Sequence, residues 1–442
     1  MMRVADEARY RRQRAARTAA SVWWLPMLLF GCMGAIAWAI RGTSGWGGID
    51  GTVVPGMTWG LLWYYLCRRQ GIDARGVPLW LGLGIAIGGE WGYGQYVSWI
   101  RGEFQAGEAI VPVAPWIGYA WFAICGIAWG ATGGIALGWT LSGNGTKRRW
   151  LARAIVPVGI GYLAWLLVQA CPSWFFPNYA LGLYAGGLDR HLIRTVETNT
   201  QNFVVAAWWA GAMLVAAFQR DRATLTMGAL IGGGFGIGFP LAAVWCLGYT
   251  YAPNYIDWWK MWELNAGFYL GLLYTAALYW TMRQADKAHD IEENRAGADP
   301  PSSPRERWQN VSLVLAAFLL LFILFFGASS NVGLLLGLYK EGDVDQYEWP
   351  AARIALFAPA AVSILGVAVF KIGRILRSPQ LRGIEPSGLP ERMADLMAVI
   401  AFVGAATIWP SKIGVLYALF FGLALFAYHR LNRHFDIAGL GG

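Results

Sequence analysis

Runs of close to twenty apolar residues recur along this chain, and they restrict its fold more than any other feature. A hydrocarbon core about 30 Å thick is crossed by about 20 helical residues rising 1.5 Å each. Twelve such runs are legible: 22–40, 53–67, 77–99, 111–141, 154–171, 203–218, 225–249, 264–282, 309–330, 351–371, 393–409 and 411–430. The second and eleventh are short, and the fourth is long enough to tilt or break. Only 14% of the 442 residues are charged and 57% are hydrophobic, whereas an ordinary soluble domain is about 25% charged. A soluble fold of this length would lack polar surface. The 26 tryptophans argue against low-complexity disorder, and five scattered cysteines against a disulfide scaffold. The expected class is therefore an all-α polytopic integral membrane protein with about twelve transmembrane helices, its first partner the lipid bilayer.

A net charge of +9 raises the question of nucleic acid, and the placement of the charges answers it. With the N-terminus cytoplasmic and sides alternating, 27 of the 35 Lys and Arg residues fall in cytoplasmic segments and eight outside. That is the positive-inside bias, and an even helix count leaves both termini cytoplasmic. The basic excess is topology, and no nucleic-acid partner is expected. The basic N-terminus followed by an apolar stretch and Ala37-Trp38-Ala39 has the outline of a cleavable signal. Cleavage would remove a helix and spoil this parity, so the segment is expected to stay. With no evident removable targeting sequence, the expected location is a bacterial inner membrane.

The expected organisation is a basic cytoplasmic segment over 1–21, an eight-helix membrane domain over 22–282, a polar cytoplasmic linker over 283–308, a four-helix membrane domain over 309–430 and a cytoplasmic tail over 431–442. The linker is rich in Asp, Glu, Arg, Pro and Ser, the composition of a solvated hinge. Within the first domain, GIAIGGEWGYG at 84–94 aligns with GALIGGGFGIG at 228–238 at six of eleven positions. The offset is close to four helices, so 22–141 and 154–282 are candidates for a parallel 4+4 repeat, with four more helices following. Gly126, Gly130, Gly134 and Gly138 recur every fourth residue, as do Gly84, Gly88 and Gly92, and Gly228, Gly232 and Gly236. Small residues at that spacing let helix backbones approach closely. These are packing seams, and Leu at Gly130 or Gly232 should destabilise the fold.

Ionisable groups within the membrane cost roughly 2.5–3.5 kcal/mol on insertion scales, which makes each a functional candidate. Glu90 lies within the third run among Leu83, Ala86, Ile87, Tyr93, Gly94 and Val97. It is the leading candidate, either as a substrate or coupling-proton carboxylate or as a structural acid paired with an Arg. Trp91 and Gln95 accompany it. On the predicted outer face, Arg41 and Asp50 bracket a glycine-rich turn. Segment 187–202 holds Asp189, His191, Arg194 and Glu197 and reads as an interfacial helix with a solvated surface. Segment 255–265 holds Asp257, Trp258, Trp259, Lys260, Trp262, Glu263 and Asn265. As a helix it would stack Trp258 over Trp262, set Trp259 beside Glu263, and ladder Asp257, Lys260 and Glu263. Indoles beside carboxylates suit either membrane anchoring or a sugar or cation.

No H-E-x-x-H, Walker loop, G-x-S-x-G or Cys/His metal spacing is present. The cysteines are expected to be buried small apolar residues, and no metal or cofactor is expected. The leading function is a permease or channel for a small solute or ion, with a site in the outer half of the membrane containing Glu90 and with substrate-binding candidates Glu90, Trp91, Gln95, Arg41, Asp50, Trp259, Glu263 and Asn265. An alternative is an integral-membrane enzyme acting on a lipid-linked or amphiphilic substrate at the outer leaflet, with His191, Asp189 and Asp257 as acid/base candidates. A second alternative is a membrane scaffold or assembly subunit. A homo-oligomer or membrane-complex partner fits any of the three.

Overall fold

A computed structural model describes residues 22–41, 49–70, 72–89, 94–142, 146–292, 304–335, 351–377, 392–408 and 413–437. Its helices are α1 (Trp24–Arg41), α2 (Ile49–Arg69), α3 (Val77–Gly88), α4 (Tyr96–Trp99), α5 (Pro115–Leu141), α6 (Lys147–Ala170), α7 (Arg190–Phe218), α8 (Arg222–Tyr251), α9 (Trp258–Glu292), α10 (Pro304–Leu335), α11 (Ala351–Arg377), α12 (Met393–Ile408) and α13 (Gly414–Ile437). Each of the twelve predicted runs contains helix, and eight helical stretches are long and apolar enough to cross a membrane.

Three predicted runs differ in detail. The helix expected across 77–99 stops at Gly88, and a single turn, α4, follows from Tyr96. The run expected from 111 begins in a β-hairpin, β1 (Glu103–Ala106) and β2 (Ala109–Pro112), paired antiparallel from Glu103↔Pro112 to Ala106↔Ala109. Its two-residue loop opens with Gly107 at φ +59°, the conformation that a glycine-first hairpin turn requires. The span expected at 203–218 belongs to α7, which starts thirteen residues earlier, at Arg190.

The chain forms two compact units, 1–82 with 274–442, and 83–273. The division falls within α3 and α9 rather than at the 283–308 linker. In the first unit, α1 is apolar on every side and buried along nearly its whole length, the pattern of a central helix. The Trp59 indole donates to the Phe30 carbonyl at 3.1 Å, and its ring packs on Trp38 and Tyr274. Tyr279 donates to the Trp23 carbonyl at 2.7 Å, and Arg75 to the buried Asn310 amide oxygen at 2.8 Å.

In the 83–273 unit the centre is α5. Its Gly126, Gly130, Gly134 and Gly138 stripe lies against Phe235, Ile231, Met227 and Thr224 of α8; a Cβ on Gly126 or Gly138 would come within 2.5 Å of α8 backbone. On the opposite face of α5, Gly84 and Gly88 of α3 meet Ala136, Thr132 and Ala128. The two echoing glycine segments thus pack on opposite faces of one helix, both antiparallel to it. The α8 seam includes a π-helical turn, Gly228–Gly233, where the Trp209 indole donates to the Gly228 carbonyl at 3.1 Å. At one end of the unit Asn178 donates to the Pro112 carbonyl, joining the hairpin to the α6–α7 connection. At the other end Arg153 pairs with Asp221.

Candidate functional site

The beginning of α9 carries the charged part of the site. Asp257 precedes the helix and its carboxylate accepts the Lys260 backbone N–H at 3.1 Å, as an N-terminal cap does. The Tyr249 hydroxyl accepts the Trp259 N–H at 3.2 Å. Trp258 donates to the Ala252 carbonyl at 2.8 Å and stacks on Trp245, its ring filling the space over Gly248. These contacts fix the first turn, and the next turn points Glu263 inward, with 0% of its surface exposed. One carboxylate oxygen accepts from the Trp259 indole at 2.7 Å and the other from Lys260 Nζ at 2.6 Å. Lys260 is buried with it. Two charges out of water cost several kcal/mol each in desolvation, and only tight pairing with further hydrogen bonds offsets it.

The second part is a neutral polar stripe along α7. Thr195, Thr198, Asn199 and Asn202 follow helical spacing on one buried face. The Tyr96 hydroxyl donates to Asn199 Oδ1 at 2.9 Å and accepts from Asn202 Nδ2 at 3.1 Å; Asn199 Nδ2 donates to the Phe175 carbonyl at 2.7 Å. Gln95 donates to the Thr198 hydroxyl, which donates onward to the Arg194 carbonyl at 2.7 Å. The Gln95 side-chain oxygen is buried without a partner. Gly94 leaves room for the Arg194 guanidinium; a Cβ there would lie 2.8 Å from Nη2.

Aromatic rings join the two parts. Tyr96 meets Phe122 edge-on at 5.6 Å between centroids, Phe122 meets Trp262 at 5.5 Å, and Trp262 meets Trp259 at 5.1 Å. The resulting site is a buried ion pair and an amide–hydroxyl network separated by ring faces, and the 3-10 turn Val244–Leu247 of α8 adjoins it through Trp245 and Trp258.

The predicted site residues divide. Trp259 and Glu263 come together as expected, with Lys260. Asn265 turns back to donate to the Met261 carbonyl of its own helix at 3.1 Å. Trp258 stacks on Trp245 rather than over Trp262, because Trp262 turns inward to Phe122 and Phe239. Gln95 joins the neutral network. Arg41, buried at the end of α1, and Asp50, in the first turn of α2, belong to the other unit, and the Asp50 side chain lies outside the described residues. Glu90 and Trp91 also lie outside the described residues. Asp189 caps α7, accepting the N–H groups of His191 at 2.6 Å and Leu192 at 3.2 Å, while His191 is exposed.

The surface reading of 187–202 needs correction. Arg190 and His191 in its first turn are exposed, but Asn199 and Asn202 are fully buried. Tyr96, Thr198, Asn199 and Asn202 were thus missed as site residues, although the 195/198/199/202 spacing is a helical stripe readable in the sequence. Among the described residues no three His, Cys, Asp or Glu side chains gather as a metal site, and the cysteines are free, all but the half-buried Cys171 being buried. No family model matches this chain, and neither the curated proteins nor the solved structures hold a match to it.

Proposed function

We propose that the chain is a membrane permease or channel for a small solute or ion, working in a bacterial inner membrane with both termini cytoplasmic, and that its solute site lies in the 83–273 unit around Lys260, Glu263 and Trp259. The observation that carries the proposal is the burial of this ion pair inside a bundle of apolar helices. The pair stands at the start of α9, on the predicted outer face, and two charges held out of water there are costly, which makes them candidates for binding a polar solute. A departure from regular helix beside them, the 3-10 turn Val244–Leu247, is a recurrent feature of transport sites. The enzyme alternative draws less support, since the Asp189 and Asp257 carboxylates are occupied as helix caps.

The test is a thermal-stability screen of the purified protein against inorganic ions, sugars, amino acids and lipid extracts, with Glu263→Gln beside wild type. A ligand at 100 times its dissociation constant stabilises by about 2.7 kcal/mol. The expected result is a soluble compound that stabilises wild type, fails to stabilise Glu263→Gln, and is taken up unchanged by proteoliposomes holding wild type. Chemical conversion of the compound, or stabilisation that ignores Glu263, would overturn the proposal.

A further inference from the structure

Beside the buried pair at Lys260 and Glu263 lies another ion pair that is open to solvent. Arg101 Nη2 meets Glu103 Oε2 at 3.1 Å, with side chains 22% and 48% exposed, against 9% and 0% for Lys260 and Glu263. Arg101 follows α4 in a tight turn, and Gly102, at φ +83°, swings the chain into β1. The backbone here is pinned. Trp99 and Ile100 are buried, Trp99 packs on Tyr96 and Phe104, and the Gly102 carbonyl accepts the Val113 N–H at 3.0 Å. A Cβ on Gly118 of α5 would come within 2.5 Å of the Ile100 nitrogen. The Arg101 side chain is held more lightly, by Glu103 and by the Tyr249 ring, whose centroid lies 5.6 Å from the guanidinium carbon. A solvated ion pair and a partly solvated cation–ring contact each contribute little. Arg101 Nε is buried with no hydrogen-bond partner, so this position leaves a charged donor unsatisfied that water would satisfy if the side chain swung out.

From Tyr249 the contacts run inward without a gap. Its hydroxyl accepts the Trp259 N–H at 3.2 Å, and the Trp259 indole donates to Glu263 at 2.7 Å. Tyr249 itself follows the 3-10 turn Val244–Leu247, where α8 is irregular. Cys246 of that turn is fully buried and lies within electrostatic reach of both Arg101 and Glu263. The exposed cation and the buried carboxylate therefore flank the same turn of α8, with the Tyr249 ring against the first and its hydroxyl against the segment that carries the second. We infer that Arg101 and Tyr249 form a gate between solvent and the Lys260–Glu263 site, closed in this structure and opened when the guanidinium leaves the ring. The inference rests on the solute site proposed for Lys260 and Glu263, for which it supplies the entry.

The test uses Cys246 as a built-in reporter. The purified full chain in detergent is alkylated with iodoacetamide, and each cysteine is followed by peptide mass spectrometry. Cys125, fully buried in α5 of the same unit, is the reference for general loosening. Arg101→Ala should speed alkylation of Cys246 about ten-fold and leave Cys125 within about two-fold of wild type. Loss of a nearby cation by itself disfavours the reactive thiolate, so a faster rate reports access. Arg101→Lys keeps a cation for the ring and should stay within about three-fold of wild type. A Cys246 rate unchanged in Arg101→Ala would overturn the inference, as would a Cys125 rate that rises in step with it. Arg101→Lys as fast as Arg101→Ala would overturn the assignment to the cation–ring contact. Alkylation needs no solute, so a failed gate and a failed solute site are told apart. In the first case Glu263-dependent stabilisation persists while Cys246 ignores Arg101→Ala; in the second Cys246 responds and no solute stabilises.

Discussion

Two buried ion pairs lie in the same unit, and they differ in what they join. Arg153 and Asp221 are 68 residues apart and tie α6 to the turn before α8, with the Ser142 hydroxyl and the Thr224 N–H and hydroxyl drawn into the same group. Lys260 and Glu263 are one helical turn apart on α9, and their mutual contact joins no two elements. An i, i+3 pair is fully formed on a solvated helix face, where it costs little desolvation. Burying it adds the penalty of removing two charges from water without adding a tertiary link through the pair itself. The first pair ties two elements together by its own contact, and the second is the pair that the proposed function uses.

The largest effect expected from this contrast is at Arg153. Arg153→Met strands the Asp221 carboxylate and should cost about 3–5 kcal/mol of stability, measured by thermal or denaturant unfolding in detergent. Removing both members should not repair the damage. In Arg153→Met/Asp221→Leu the Thr224 N–H and hydroxyl lose their acceptor, and each buried orphan costs about 1–3 kcal/mol. The pair on α9 should behave in the opposite way. Lys260→Met/Glu263→Gln keeps an acceptor for the Trp259 indole and removes both charges, and should unfold within about 1 kcal/mol of wild type while losing solute-induced stabilisation. A double variant at 260 and 263 as damaging as the one at 153 and 221 would erase the distinction.

A close-packing prediction comes next in size. Gly130→Leu places a side chain where Ile231 of α8 approaches α5, and should cost about 1–3 kcal/mol or more by overpacking. An unchanged melting temperature would show that the seam is looser than its spacing implies.

The legible part of this molecule was the part governed by local, periodic rules. Apolar run length marked the helices, four-residue glycine spacing marked the α5–α8 seam, and helical periodicity placed Trp259 against Glu263. Where non-local contacts decide, sequence reasoning failed. The stripe at Thr195, Thr198, Asn199 and Asn202 looks like a wet surface because its partners, Tyr96 and the Phe175 carbonyl, are about 25 to 100 residues away and unrelated in pattern. Polar residues following a charged turn resemble solvated helix until something covers them. The end of α3 at Gly88 had a local signal that run length overrode: Gly88, Gly89, Glu90, Gly92 and Gly94 are poor helix formers or polar. The hairpin was signalled only by Gly107-Glu108, weak against the apolar run that begins at Ile110.

A prediction of intermediate size tests whether the neutral network is architecture, like Arg153, or function, like Glu263. Tyr96→Phe keeps the ring packing on Trp121 and Phe122 and deletes only the hydroxyl shared by Asn199 and Asn202. Two amides lose a partner, so unfolding should show a loss of about 1–3 kcal/mol. If the network serves only to hold α7 against α4, ligand affinity should be unchanged once the variant is folded. If it belongs with Lys260 and Glu263 across the Phe122–Trp262 bridge, affinity should fall together with stability.

The smallest effect separates transport from outer-face catalysis. Asp189→Ala removes two cap hydrogen bonds at the start of α7 and should cost about 1 kcal/mol, the ordinary value of an N-cap. Because its carboxylate faces backbone N–H groups rather than the His191 ring, uptake in proteoliposomes should match wild type within two-fold. A large loss of activity with a loss of stability no greater than a cap's would mean that the carboxylate does chemistry beyond capping. The weight would then move from α9 to the α7 start, and the solute site would no longer be assigned to Lys260 and Glu263.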